Sequence, residues 1–122
     1  MKTYKLLLLF LALLPTLAVG QNCFDCSNLN SRATGTKAIA GGEGSLASGY
    51  MSVAIGAYDT ASGNYATAIG YDVSASGNGS VAMGITNYAI GSSSFVAGQN
   101  STARGSTSFA FGMQSLSSGN SA

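Results

Sequence analysis

The chain has 122 residues with five basic and four acidic side chains, and it contains neither His nor Trp. This length predicts one domain, and a formal net charge of +1 excludes a basic surface for nucleic acid. Because a serine nucleophile ordinarily needs a histidine base, the composition favours a structural or binding role, without catalysis and without a cofactor.

The first twenty residues have the layout of a secretory signal peptide. Lys2 and Lys5 form a positive start, an apolar run covers residues 6–14, and small residues at 18–20 precede a cleavage site before Gln21. The apolar part is shorter than the roughly 20 residues that a membrane span needs. We therefore predict a cleaved signal peptide over residues 1–20 and a secreted chain, with an uncleaved membrane anchor as the alternative.

Two cysteines, Cys23 and Cys26, lie in a leader segment of residues 21–32. In an oxidising, extracellular compartment, disulfide formation is the favoured interpretation, and bonds between copies of the chain would join their N-termini. Two alternatives stay open. A metal site would need ligands other than His and other than these two thiols, and a redox-active Cys-x-x-Cys motif would lack its usual βαβ context.

The remaining chain, residues 33–122, repeats with a strict glycine spacing. Ala stands two residues before eleven of the glycines. A coiled coil is excluded, because its heptads need two large apolar positions and each Gly inside a helix costs about 1 kcal/mol. A β-solenoid fits, since Gly tolerates the positive φ of a tight corner. The predicted corner residues, one at every seventh position, are Gly35, Gly42, Gly49, Gly56, Gly63, Gly70, Gly77, Gly84, Gly91, Gly98, Gly105, Gly112 and Gly119.

Alternate heptads differ, so the true repeat has fourteen residues. One half resembles SVAIG at residues 52–56, and the other resembles TASG at residues 60–63. Successive residues of a strand point to opposite faces. The Ala shared by both halves is therefore predicted to face a narrow core, with larger residues outside. Six to seven coils would stack about 4.8 Å apart, and the few acidic residues are expected at solvated corners.

This facing leaves an apolar stripe on one outer side of the roll. Burying each of its side chains is worth about 1.5–3 kcal/mol, and an exposed stripe of this kind marks an association surface. We therefore predict a parallel homo-oligomer. An inverted roll, with large residues inside and Ala outside, is the alternative. The predicted interface residues are Val53, Ile55, Ile69, Val81, Met83, Phe95, Phe109 and Phe111.

Two stretches, SVAIGAYDTASGNY at 52–65 and NGSVAMGITNYAIGS at 78–92, closely resemble the fourteen-residue repeat of the YadA-like heads of trimeric autotransporter adhesins. The resemblance covers about residues 33–122. It implies a left-handed parallel β-roll, a homotrimer, and display at the surface or outer membrane of a Gram-negative bacterium. The family also carries a stalk and a membrane anchor, so we expect that this head is truncated after Ala122 or capped by a partner.

The resemblance further implies attachment to host or extracellular-matrix proteins, or to other cells, by multivalent and non-enzymatic contact. No small-molecule substrate is expected. A structural surface or tail-fibre segment without a specific receptor is the alternative. A third possibility is an ice-binding face of Ser and Thr, but other residues interrupt its regular spacing. Exposed tyrosines are candidate binding residues that would otherwise pack against the next coil; they are Tyr50, Tyr58, Tyr65, Tyr71 and Tyr88.

Overall fold

The computed structural model describes residues 30–121, together with the backbone of residues 23 and 24. The predicted signal peptide and the predicted bonding of Cys23 and Cys26 lie outside the described side chains. The described chain forms fourteen β-strands in two parallel sheets of seven strands each.

One sheet, called here the long-strand sheet, has strands of five residues except at its first strand. Its members are β1 (Cys23–Phe24), β3 (Ile39–Glu43), β5 (Val53–Ala57), β7 (Thr67–Tyr71), β9 (Val81–Ile85), β11 (Phe95–Gln99) and β13 (Phe109–Met113). The other, the short-strand sheet, has strands of two residues. Its members are β2 (Arg32–Ala33), β4 (Leu46–Ala47), β6 (Thr60–Ala61), β8 (Ser74–Ala75), β10 (Tyr88–Ala89), β12 (Thr102–Ala103) and β14 (Leu116–Ser117).

The strand register confirms the fourteen-residue coil. Val53 pairs with Thr67, and Thr67 pairs with Val81. Each coil contributes one strand to each sheet, and every neighbour in a sheet comes from the next coil. The chain is therefore an all-β parallel solenoid of about six turns. The first strand departs from the spacing, because Cys23 pairs with Ala40, seventeen residues away.

Alanine fills the narrow space between the two sheets. Ala54 in β5 and Ala61 in β6 are both 0% exposed, whereas Ile55 between them in sequence is 40% exposed. The largest apolar residues that are fully buried are Val73 and Val96. The inward facing of Ala is thus confirmed and the inverted roll is excluded, because the gap between the sheets accommodates little beyond a methyl group.

The thirteen repeating glycines occupy two different places, and only one of the two sets has positive φ. Six of them lie inside the long strands with φ between 92° and 152°; these are Gly42, Gly56, Gly70, Gly84, Gly98 and Gly112. The other seven start the turns that follow the short strands, outside the left-handed region. In both sets the backbones of successive coils approach closely. A Cβ on Gly63 or Gly70 would lie under 3.0 Å from the carbonyl of the next coil's glycine.

The left-handed residue of each corner lies two positions after the repeating glycine. Tyr58 and Tyr65, for example, have φ of 61° and 59°. Gly44 and Gly79 take the same place in other coils. The structure thus differs from the prediction that the repeating glycines supply the left-handed corner. Their shared requirement is the absence of a side chain where one coil's backbone rests on the next.

Candidate functional surfaces

The eight residues of the predicted stripe lie together on the outer face of the long-strand sheet. They form two neighbouring columns, because Val53, Val81 and Phe95 follow one register position. Ile55, Ile69 and Met83 follow another. None belongs to the alanine core, and their exposure ranges from half-buried to 69% at Phe111. The apolar stripe, as these eight residues are called below, therefore runs along the solenoid axis.

Aromatic rings cover the stripe's end near the last described coil. Phe95 and Phe109 stack with ring centroids 5.0 Å apart and planes 8° from parallel. Phe109 and Phe111 lie 6.2 Å apart at 15°. Aromatic pairs in offset-stacked or edge-to-face contact contribute about 0.5–1.5 kcal/mol beyond their burial, so these three rings support one another and leave a broad apolar face outward.

Sequence reasoning missed three exposed apolar residues on the same face. Ile39 is 41% exposed and pairs with Val53 at the start of the stripe. Ile85 and Met113, exposed at 48% and 72%, belong to a third column directly after the strand glycines. Strand alternation would have found this column, since its residues lie two positions beyond the second column of the stripe.

Three of the five tyrosines lie in the corners beside the long-strand sheet, and Tyr71 is the last residue of β7. Tyr50 packs edge-on against Tyr65 at 5.5 Å, and Tyr58 packs edge-on against Tyr71 at 6.0 Å. The fifth, Tyr88, lies on the short-strand sheet. All five are more than a third exposed. The tyrosines therefore pack against the neighbouring coil and also present a ring to solvent.

Tyr58 is held in place by an acidic neighbour. Its hydroxyl donates to Glu43 Oε1 at 2.8 Å, and its ring covers Gly44, where any Cβ would touch it. This hydrogen bond and the charge of Glu43 raise the pKa of Tyr58. The phenol therefore stays protonated and remains a donor to Glu43 through the ordinary range of pH.

Polar side chains link the coils inside one corner. The position just before each short strand is occupied by Ser31, Ser45, Asp59, Val73, Asn87, Ser101 and Ser115. Ser101 shows the pattern: its hydroxyl donates to the carbonyl of Gly112 at 3.0 Å and accepts from the amide of Ser115 at 3.0 Å. Asn87 does the same with its amide, donating to Gly98 and accepting from Ser101, both at 2.8 Å. We call this column the corner ladder.

Asp59 carries the one ionisable group in the corner ladder, and it is 0% exposed. Its carboxylate accepts from the amides of Gly70 at 2.7 Å and Val73 at 2.9 Å. Burial raises the pKa of this carboxyl, the two hydrogen bonds oppose that rise, and the charge of Asp72 adds to it. The expectation of a solvated corner residue is wrong here. Asp59 lies two residues before the inward Ala61 and shares its face.

A second buried column lies just before the long strands, and only some of its serine hydroxyls form hydrogen bonds. Ser52 donates to the carbonyl of Gly49 at 2.8 Å, but the hydroxyls of Ser80, Ser94 and Ser108 have no partner. Ala66 takes the same position and is also buried. A hydroxyl is therefore dispensable in this column, whereas in the corner ladder every described residue except Val73 has a polar side chain.

We expect Ser80→Ala to leave the free energy of unfolding unchanged or slightly higher, because it removes an unpaired buried hydroxyl. Ser101→Ala should lower it by about 1–3 kcal/mol, since the amide of Ser115 and the carbonyl of Gly112 lose a buried partner. Urea unfolding followed by circular dichroism measures both. An equal loss in the two variants would contradict this account of the two columns.

Within residues 30–121, no three side chains among His, Cys, Asp and Glu lie close enough together to hold a metal ion. The metal alternative for Cys23 and Cys26 lies outside this range and stays open. The same described segment contains no helix with the length and apolarity that a membrane crossing requires.

Comparison with protein families matches the chain to the YadA head domain repeat, in a model that holds two copies of the repeat. The matches cover residues 33–58, 47–72, 61–87 and 97–122, which together make up more than half of the chain. The unmatched stretch between them ends with Val96, where the Ala column is interrupted. A comparison with curated proteins gives no match.

Proposed function

Since this chain belongs to the YadA head repeat family, whose members are adhesin-type domains, we propose that it is the head of a trimeric surface adhesin. In this proposal, three identical chains associate through the apolar stripe. The head attaches a Gram-negative cell to host or matrix proteins, or to other cells, by several weak contacts at once.

The observation that carries the proposal is the outward apolar stripe on the long-strand sheet. In a single chain, Ile55, Met83 and Phe111 remain 39% to 69% exposed. Fully burying an exposed side chain of this size is worth about 1.5–3 kcal/mol, and association would add the share that corresponds to the remaining exposure. A contiguous apolar face of this extent marks an interaction surface. Because every copy carries the same face, closed cyclic symmetry buries it most simply.

The opposite face is suited to remain in water. Thr60, Ser62, Ser74 and Ser76 line the middle of the short-strand sheet, half-buried or exposed. Association through the long-strand sheet would leave this face on the outside of each subunit. Further along the axis the same face carries Tyr88 and Arg104 together with Ile90 and Leu116, which are 47% and 66% exposed. Three such faces on one rigid body would raise the apparent affinity for a repetitive target through effective concentration.

In solution, the purified chain should bind to matrix-coated wells or to host cells more strongly than a variant that cannot associate. Linking several sites increases overall affinity by roughly 10²–10⁴-fold. The double variant Ile55→Lys, Met83→Lys therefore should lose most retention under flow, while Ser62→Lys on the polar face controls for added charge. Absence of retention on every matrix protein and cell type would instead support a structural fibre segment.

A further inference from the structure

Asp59 is a buried carboxylate, and the described part of the chain places no Lys or Arg in its own coil or in the two coils stacked on it. Between Lys37 and Arg104 the sequence contains neither Lys nor Arg. The titratable groups in its own coil and in the two coils stacked on it are acids and phenols: Glu43, Tyr50, Tyr58, Tyr65, Tyr71 and Asp72. Taking an unpaired carboxylate out of water opposes its ionised form, and here only two backbone amides compensate it.

In other coils, neutral side chains link the corner to the next coil. At the positions of Ser45 and Asn87, the side chain donates to a glycine carbonyl of the next coil. An ionised carboxylate has no hydrogen to donate, and Asp59 instead accepts from the amide of Gly70. Asp59 thus replaces a donor of the corner ladder with a group whose ability to donate depends on protonation.

We propose that the coil closed by Asp59, residues 59–73, is a proton-responsive element of the roll. When the carboxyl takes up a proton, its burial no longer opposes folding, and it gains a hydrogen that can be donated as Asn87 donates. When it loses the proton, the corner that joins β6 to β7 and β8 is weakened. This property is independent of the attachment function proposed above.

The direction of the effect follows from linkage. Because the folded protein raises the pKa of Asp59 above its ordinary value of 3.8, the folded state binds the proton more tightly than the unfolded state does. The stabilisation is complete below the pKa that Asp59 has in the unfolded state, and it is lost as pH rises through the pKa that Asp59 has in the folded state. This is opposite to the usual carboxylate in a salt bridge. Coil 59–73 therefore should open less often in acid than at neutral pH.

Hydrogen exchange read by mass spectrometry tests the proposal on the whole mature chain. The peptide that contains the amides of Gly70 and Val73 should lose protection between pH 4 and pH 7.5, after correction for intrinsic exchange. The opening constant should rise about tenfold for each unit by which the pKa is raised. The corresponding peptide around Gly98 and Ser101, next to Asn87, should show no such change and serves as the internal control.

Asp59→Asn reproduces the chemistry of Asn87 and should make protection of the Gly70 peptide independent of pH. Asp59→Ser reproduces Ser45 and provides a second neutral variant if the first fails to fold. Asp72→Asn should reduce the pH response without abolishing it, because the charge of Asp72 only adds to the effect of burial. The proposal is overturned if the wild-type peptide shows no pH dependence, or if Asp59→Asn retains the wild-type dependence.

Discussion

Gly77→Ala should abolish folding of the roll, whereas Gly79→Ala, two residues later in the same turn, should not. A Cβ on Gly77 would lie under 3.0 Å from backbone atoms of Gly91 and Ile90 in the next coil. Neither backbone can move away, because each is hydrogen-bonded to its own neighbours along the stack. We expect a loss beyond about 4–5 kcal/mol, the range of the most damaging single substitutions.

Gly79 is a matched control for the glycine prediction. Its added Cβ would meet only the hydroxyl of Ser93, at 3.8 Å, although φ is +65°. A left-handed Ala costs about 1–2 kcal/mol, and Tyr65 already occupies the equivalent position of the preceding coil with φ of 59°. Circular dichroism and urea unfolding compare the two variants. If both unfold at the same urea concentration, close stacking is not the reason for the repeating glycine.

The second large effect concerns association of the chain. Ile55→Lys combined with Met83→Lys should convert the proposed trimer into separate chains at micromolar concentration. The two side chains lie in one column of the apolar stripe, two coils apart and both about 40% exposed in the single chain. Fully burying an exposed side chain of this size is worth about 1.5–3 kcal/mol, and each substitution forfeits the part that the single chain leaves unburied, in every subunit of the proposed trimer. Each substitution also places a charge in the buried interface.

Sedimentation velocity measures that change directly, and circular dichroism reports whether the separated chain keeps its strands. Ser62→Lys adds one charge to the exposed outer side of the short-strand sheet and should sediment as the wild type does. A wild-type chain that sediments as a folded monomer would remove the basis for trimeric assembly through this face. So would a double variant that stays trimeric.

The proposed proton response and the proposed assembly meet in the same part of the molecule. Ile69 of the apolar stripe lies in β7, one residue before Gly70, whose amide binds Asp59. Tyr71 follows Gly70 and packs on Tyr58. A corner that loosens on ionisation therefore would disturb both the stripe and one tyrosine pair. Hydrogen exchange on the associated protein would show whether assembly suppresses this opening.

Much of the fold is readable from the spacing of small residues. Gly at every seventh position and the alternation of SVAIG with TASG state which residues are equivalent. Strand alternation then places Ala inside and residues such as Ile55 outside. The predicted eight-residue stripe comes from these two facts. Ile39 escaped because its coil reads AIAGG, with Gly41 where other coils have a larger residue.

The role of each small residue could be identified only from the stacked backbone. The sequence shows that Gly63 and Gly70 recur, but the reason is the carbonyl of the next coil, which only the three-dimensional stack brings near. Likewise, the left-handed corner falls on Tyr58 and Tyr65 rather than on the repeating glycines. Hydrogen bonds between the coils hold these tyrosines in the left-handed conformation, although Gly is the residue that adopts it most easily.

By itself, then, the sequence determined the coil length, the inward alanines and the apolar outer face, because a strict period and strand alternation depend only on local chain geometry. Only the tertiary structure decided which glycines bear positive φ, that the carboxyl group of Asp59 is fully buried, and that Ser101 bridges two coils while the hydroxyl of Ser80 has no partner. These properties depend on atoms eleven or fourteen residues apart in the sequence. Their contacts exist only after the coils have stacked.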